Sequence, residues 1–165
     1  MASETSGVSK SGYEGFEALY ERTSGLVFKT VLLLCGNRQT AEDATQEAFA
    51  KALERWHRLS DKTWTPGWVM TTAMNEARRI HRGRVSAATQ DISPSDGQVS
   101  PPSEIWDLVR TLPRRQQEAI ALYYVADLSV TNVARVLRCS EGTVKKHLWR
   151  ARQVLAARIE VQTDD

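Results

Sequence analysis

Apolar positions along this chain recur at three- and four-residue spacing, the period that gathers side chains on one side of an α-helix. In 40–58, Ala44, Ala48, Phe49, Ala52, Leu53 and Trp56 form such a stripe. Val69, Met70, Ala73, Met74, Ala77 and Ile80 form another, and Val144, Leu148, Ala151 and Leu155 a narrow third. With capping signals added, the pattern predicts helices over 13–22, 25–35, 40–58 and 66–82, then over 103–111, 113–126, 129–137 and 141–161. Thr40 is the expected N-cap of the third helix, with Asp43 three residues on, and Thr65 the cap before Pro66. Ser129 and Ser140 are the expected caps of the last two helices, about three residues apart in turn length. No alternating strand pattern or hairpin turn interrupts this series, so the expected fold is all-α.

One stretch breaks the pattern. Residues 84–102, "RVSAATQDISPSDGQVSPP", are rich in Ser, Pro, Asp, Gly and Gln and almost lack large apolar residues. Such a segment cannot bury enough surface to fold and reads as a flexible linker. It divides the chain into two small helical domains, 13–83 and 103–161, behind a disordered tail, 1–12. Fully extended, the linker would span roughly 60 Å at about 3.3 Å per residue. Sites on the two domains are then able to lie nearly two turns of duplex apart.

Composition narrows the function without naming it. The 165 residues are 41% hydrophobic with a formal net charge of +2, enough to build cores. No apolar run approaches the ~20 residues that span a bilayer, and the start "MASETSGVSKSG" lacks the apolar stretch of a secretory signal. No membrane insertion is expected, and the expected compartment is the cytoplasm. Cys35 and Cys139 suit neither a disulfide framework nor a metal knuckle and read as buried thiols. Three scattered histidines have no metal-ligand spacing, so no metal and no cofactor are expected.

The cations are concentrated rather than spread. Opposite the core stripe of the last helix lie Thr143, Lys146, Trp149, Arg150 and Gln153, flanked by Lys145, His147 and Arg152. A capped helix, a tight turn and a second capped helix with cations in its first half is the arrangement that enters a DNA major groove. Lysine and arginine there meet phosphates or the acceptor edge of guanine. The helix over 66–82 turns Trp68, Thr71, Thr72, Asn75, Arg78, Arg79 and Arg82 away from its core. Aromatic rings stack unstacked bases while cations track phosphates, so this face suits a single strand, and the preceding loop "SDKTW" with Lys62 and Trp64 is placed to reach an extruded base. The helix from Thr40 presents Asp43, Gln46, Glu47 and Glu54 instead. Negative charge does not serve DNA contact, and periodicity alone reads that face as solvent surface rather than a docking surface.

Three of these segments together resemble one family. "AEDATQEAFAKALERW" resembles region 2.2 of the extracytoplasmic-function group of bacterial RNA polymerase sigma factors, and "WVMTTAMNEARRIHR" resembles its region 2.4. "LPRRQQEAIALYYVADLSVTNVARVLRCSEGTVKKHLWRARQVL" is similar to its region 4. The likeness runs from Tyr13 to Leu155 with the linker in the expected place, and no further sigma-factor domain is expected. It implies a non-enzymatic initiation factor that binds core RNA polymerase through its β′ clamp and β flap and directs it to promoter DNA. Asp43, Gln46 and Glu47 would dock on the β′ clamp, which displaces the solvent-surface reading. Lys62, Trp64, Trp68, Thr72, Asn75, Arg78, Arg79 and Arg82 would open and read the −10 element. Arg138, Ser140, Thr143, Lys145, Lys146, His147 and Arg150 would read the −35 element as duplex. An anti-sigma factor is an expected partner.

Some positions depart from the family pattern. Arg138 stands where the helix-turn-helix usually has glycine, Thr45 replaces an apolar residue, and Asn132 replaces the glutamate of the capping box after Ser129. Arg79 stands where an acidic residue is common, and His147 where arginine is common. Three other readings compete, of which a pure interaction module would leave two basic faces without a use. A stand-alone helix-turn-helix regulator or response-regulator output domain would use "SEGTVKKHL" equally well but leaves the N-terminal domain unexplained. An enzyme using Cys35 as nucleophile lacks a base, an oxyanion loop and a phosphate-cradling glycine run.

Overall fold

The computed structural model describes residues 10–87 and 104–163, and every regular element among them is helical. α1 runs unbroken over Lys10–Cys35, where the pattern predicted two helices. The polar break at 22–25 does not stop it, because buried Thr23 donates its hydroxyl to the Leu19 carbonyl at 2.6 Å inside the helix. Residues 10–12 of the expected tail therefore belong to α1. The helix ends where Gly36, at φ 67°, donates its N–H to the Leu32 carbonyl (2.8 Å), the left-handed cap that glycine takes at no steric cost.

α2, Arg38–Glu54, is capped by Asn37, whose Oδ1 accepts the Thr40 N–H at 2.8 Å. Thr40, the expected cap, lies inside the first turn at 3% exposure. The asparagine wins because the glycine before it has already turned the chain into the extended conformation a cap needs. α2 stops short of the expected boundary, and α3, Trp56–Leu59, follows as a separate turn. Ala41, Ala44, Ala48 and Ala52 are wholly buried, so a side of single methyl groups lets α4 pack closely on α2. Leu53, expected in the core, sits at the edge of that stripe and is 40% exposed.

α4, Thr65–Ala87, begins with Thr65 as a buried helical residue rather than as a cap. Its hydroxyl points back to the Leu59 and Lys62 carbonyls (2.6 and 2.8 Å) and ties down the preceding loop. The helix also continues past its expected end, taking in residues 84–87 of the expected linker. Arg84 explains the extension, since it donates to Asn37 Oδ1 (3.0 Å) and Thr40 Oγ1 (2.6 Å) at the start of α2. The rest of the linker lies outside the described residues.

The second bundle comprises α5 (Glu104–Arg110), α6 (Arg114–Ile120), α7 (Val130–Leu137) and α8 (Glu141–Thr163). The helix predicted over 113–126 widens into a π turn at Ala121–Val125, where the Ala126 N–H reaches the Ala121 carbonyl at 3.0 Å. That turn buries Leu122 completely while Tyr124 stays 56% exposed. Ser129 and Ser140 cap α7 and α8 as predicted, accepting the N–H of Asn132 (3.2 Å) and Thr143 (3.1 Å). Val133, Val144 and Leu148 lock α7 and α8 into the core.

The two bundles pack on each other. α1 lies against the π turn and α4 against α7. Arg78 of α4 pairs with Glu118 of α6 at 2.5 Å, and the Arg135 guanidinium of α7 lies 5.3 Å from the Trp64 ring.

Candidate nucleic-acid interface

On α4 the predicted stripe is present and preorganised. Trp64 lies flat on Gly67, where a β-carbon would come within 2.3 Å of the indole, so only glycine allows that ring position. Trp68 is half-buried beneath the Arg55 guanidinium, 5.8 Å away. Thr72 donates its hydroxyl to the Trp68 carbonyl (2.8 Å), leaving its oxygen lone pairs toward the groove side of the helix. Asn75 is exposed and accepts from Arg78 at 3.0 Å through its amide oxygen. Lys62 and Arg82 are exposed.

Glu76 was missed by sequence reasoning. It lies on the α4 side assigned to neither core nor DNA, yet it is 7% exposed. Lys51 from α2 pairs with one of its oxygens and Arg79 with the other (2.7 Å). The hydrogen bond from Lys51, reinforced by Arg79, holds the Glu76 carboxyl below the usual range against the opposing effect of burial. The same bond raises the Lys51 ammonium. Arg79 is thus anchored at its base while two-thirds of its side chain is exposed.

On α8, Lys145, Lys146 and Arg150 are exposed and Trp149 is 60% exposed, forming one basic and aromatic face beyond the capped turn. Ser140 also shares a hydrogen bond with the Thr143 hydroxyl (2.9 Å), which holds both side chains at the helix entry. His147 differs from its neighbours. It is half-buried, and burial first, then Arg115, Arg150 and Lys146, push its imidazole below the usual value, with Glu118 opposing. Of the residues predicted to read duplex, it is the one whose positive charge burial disfavours. Arg138 does adopt the left-handed conformation that glycine usually supplies, at φ 53° and ψ 50°.

Asp43, Gln46 and Glu47 are all exposed along one side of α2, remote from the buried alanines. Asp43 accepts from Gln39 (2.8 Å) and Glu47 lies 3.6 Å from Lys51, both surface pairs that leave the acidic stripe open. The second bundle carries an apolar groove of about 450 Å³ between α5, α6 and the end of α8, lined by Ile105, Trp106, Tyr124, Leu155 and Ile159. Glu118 is the second residue that sequence reasoning missed. At 3% exposure it accepts from Arg78, Arg114 (3.0 Å) and Arg115 (3.2 Å), so one buried carboxylate joins the two bundles. Beside it a cleft of about 430 Å³ has Val31, Leu34, Cys35 and Met74 on its floor and Arg82 and Arg114 on its rim. Burial raises the Cys35 thiol, which donates to the Asn37 carbonyl at 3.3 Å, so it is a poor nucleophile. Among the described residues no cluster of His, Cys, Asp and Glu is arranged to hold a metal, and no helix is long and apolar enough to cross a membrane.

Residues 19–86 match the family described as Sigma-70 region 2, and residues 103–155 match the family described as Sigma-70, region 4. Across 87% of its length the chain is 31% identical to the ECF RNA polymerase sigma factor BldN of Streptomyces coelicolor, and it spans 60% of that protein. It is 27% identical to the ECF RNA polymerase sigma factor SigM of Bacillus subtilis, covering 86% of this chain and 93% of that one. Among solved structures, the fold superposes with a TM-score of 0.74 on the sigma factor RpoE from Bartonella quintana in its complex with the anti-sigma factor NepR. That alignment covers 88% of this chain and 97% of the other at 21% identity.

Proposed function

The chain belongs to the extracytoplasmic-function group of the sigma-70 family, and on that premise we propose that it binds core RNA polymerase and directs it to promoters. One observation carries the proposal: regions 2 and 4 occur in order, and each presents an exposed face of the chemistry its task needs. The acidic stripe Asp43, Gln46 and Glu47 docks on the β′ clamp. The apolar groove between α5 and α8 takes the β flap, since it is an apolar concavity on region 4 and shares only Arg152 with the basic side of α8.

Lys62, Trp64, Trp68, Thr72, Asn75, Arg78, Arg79 and Arg82 open and read the −10 strand, with aromatic faces for unstacked bases and cations for phosphates. Ser140, Thr143, Lys145, Lys146 and Arg150 read the −35 duplex from the major groove, with Arg138 at the turn and His147 behind them. In the packed arrangement Arg78 is held by Glu118 and Trp64 is covered by Arg135, so promoter engagement requires the bundles to part. The chain works in the cytoplasm, where the polymerase is, and supplies no catalytic group of its own. The Bartonella protein's complex with an anti-sigma factor supports an inhibitor of the same kind here. The cleft between α1, α4 and α6, with its apolar floor and cationic rim, suits an amphipathic acidic segment of such a partner.

In vitro transcription with core polymerase on a genomic promoter pool tests the proposal. Polymerase-dependent initiation at a shared pair of −35 and −10 sequences is expected. Tight binding of the isolated chain as a dimer to a palindromic duplex at physiological salt would instead establish a stand-alone regulator.

A further inference from the structure

Where α4 faces α7, the two bundles enclose a second cleft of about 420 Å³, within the roughly 300–1,000 Å³ of pockets that hold small ligands. Lys51 and Arg55 enter it from region 2, and Arg135 and Arg138 from region 4. The only carboxylate in its lining is Glu76, already held by Lys51 and Arg79. Glu141, the other carboxylate near Arg135 and Arg138, accepts from Thr131 at 2.8 Å. Three exposed guanidinium groups thus line one cleft from two domains, with no free carboxylate in its lining to pair with them. Arg138 is there, moreover, in a left-handed backbone conformation that glycine would adopt at lower cost.

The remaining walls are suited to a base. Trp64 and Trp68 supply aromatic surface, already paired with Arg135 and Arg55 at 5.3 and 5.8 Å. Thr71 and Thr72 spend their hydroxyl protons on the Gly67 and Trp68 carbonyls (both 2.8 Å), so their oxygens are left to accept. Asn75 offers amide donors beside them. Cations on one side and aromatic, amide and hydroxyl groups on the other are the two halves of a nucleotide site.

We propose that this interdomain cleft binds a nucleoside di- or triphosphate, base against the Trp64 and Trp68 side and phosphates among Arg55, Arg135 and Arg138. A phosphate chain held by arginines of both domains bridges the bundles and stabilises their packed arrangement. The site stands on its own geometry. Only its consequence, competition with the −10 strand for Trp64, Trp68 and Asn75, rests on the sigma-factor reading.

The test titrates the full-length chain, without polymerase or promoter, with ATP, GTP, adenosine and inorganic tripolyphosphate in magnesium-free buffer, followed by calorimetry and tryptophan fluorescence. A nucleoside triphosphate is expected to bind at least tenfold tighter than tripolyphosphate or adenosine and to change the tryptophan signal. Arg135→Ala and Arg138→Gly are each expected to weaken it by roughly tenfold or more, the loss of one charge-assisted hydrogen bond. Arg138→Gly places glycine in a conformation it favours, so its weakened binding would not reflect unfolding. Equal binding of ATP and tripolyphosphate would reduce the cleft to a general polyanion patch and overturn the proposal. Nucleotide binding indifferent to both region 4 variants would overturn it as well, because the site requires both domains. In a second arm ATP competes against a labelled single-stranded −10 oligonucleotide. Intact nucleotide binding without competition would sink the promoter link alone.

Discussion

Arg138 carries a backbone cost that its side chain must offset elsewhere. A non-glycine residue in the left-handed region loses about 1 kcal/mol relative to glycine. Arg138→Gly is therefore expected to raise stability by about that amount in denaturant unfolding while weakening −35 binding, and a variant that is neutral in both would show that the arginine is incidental. Glu76 makes a prediction in pH. Its carboxyl is held below its ordinary 4.5 chiefly by Lys51, then by Arg79. For a carboxylate depressed in the folded state, the stabilisation is complete above 4.5 and disappears as pH falls through the lower folded value. The stability advantage of the natural chain over Glu76→Gln should thus be largest near neutral pH and vanish in acid, as read by urea unfolding across pH 2–7. An advantage that persisted unchanged at pH 2 would contradict the ion-pair account.

At the scale of the element, each functional helix separates its buried side from its working side, so the two are open to independent mutation. Asp43→Lys with Glu47→Lys reverses the α2 stripe. The exposed pairs it disrupts contribute at most about 0.5 kcal/mol each, so the circular dichroism spectrum and melting temperature should hardly change. Capture of core polymerase in a pull-down should be lost. Lys146→Ala with Arg150→Ala should leave polymerase capture intact and weaken −35 duplex binding by roughly 1–3 kcal/mol for each base contact removed, measured by anisotropy across a salt series. If the α2 and α8 variants failed at the same step while folded, one face could not be assigned to each partner.

For the whole molecule, the decisive feature is a single buried carboxylate shared across the bundles. Arg78→Ala removes the ion pair between them, yet Glu118 keeps Arg114 and Arg115 and is not left alone. Because about a third of the Arg78 side chain is exposed, the loss should be modest, about 1 kcal/mol after screening. Labels placed on α2 and α8 of the full chain should then report a larger population of separated bundles, read by energy transfer. Distances identical to those of the natural chain would mean that the remaining contacts, α1 on the π turn and α4 on α7, hold the arrangement without the ion pair.

The amino-acid sequence by itself determined the helical class, the two bundles, the caps at Ser129 and Ser140, and which side of α2, α4 and α8 is buried. These are local properties: helical period and cap chemistry act within a few residues, so they are written in consecutive positions. The same locality made the three polar faces legible, because an amphipathic helix displays whatever is not apolar. It failed where a distant residue intervened. Arg84 lengthened α4 by reaching Asn37, and Asn37 rather than Thr40 capped α2 because Gly36 had already turned the chain. Only the tertiary structure joined Glu76 to Lys51, brought Arg78 to Glu118 and laid Arg135 over Trp64. Each of those contacts unites residues from separate parts of the chain, from 25 positions apart for Glu76–Lys51 to 71 for Arg135–Trp64. Charge attraction and packing at that separation depend on where helices are brought together, which no periodicity along the chain encodes.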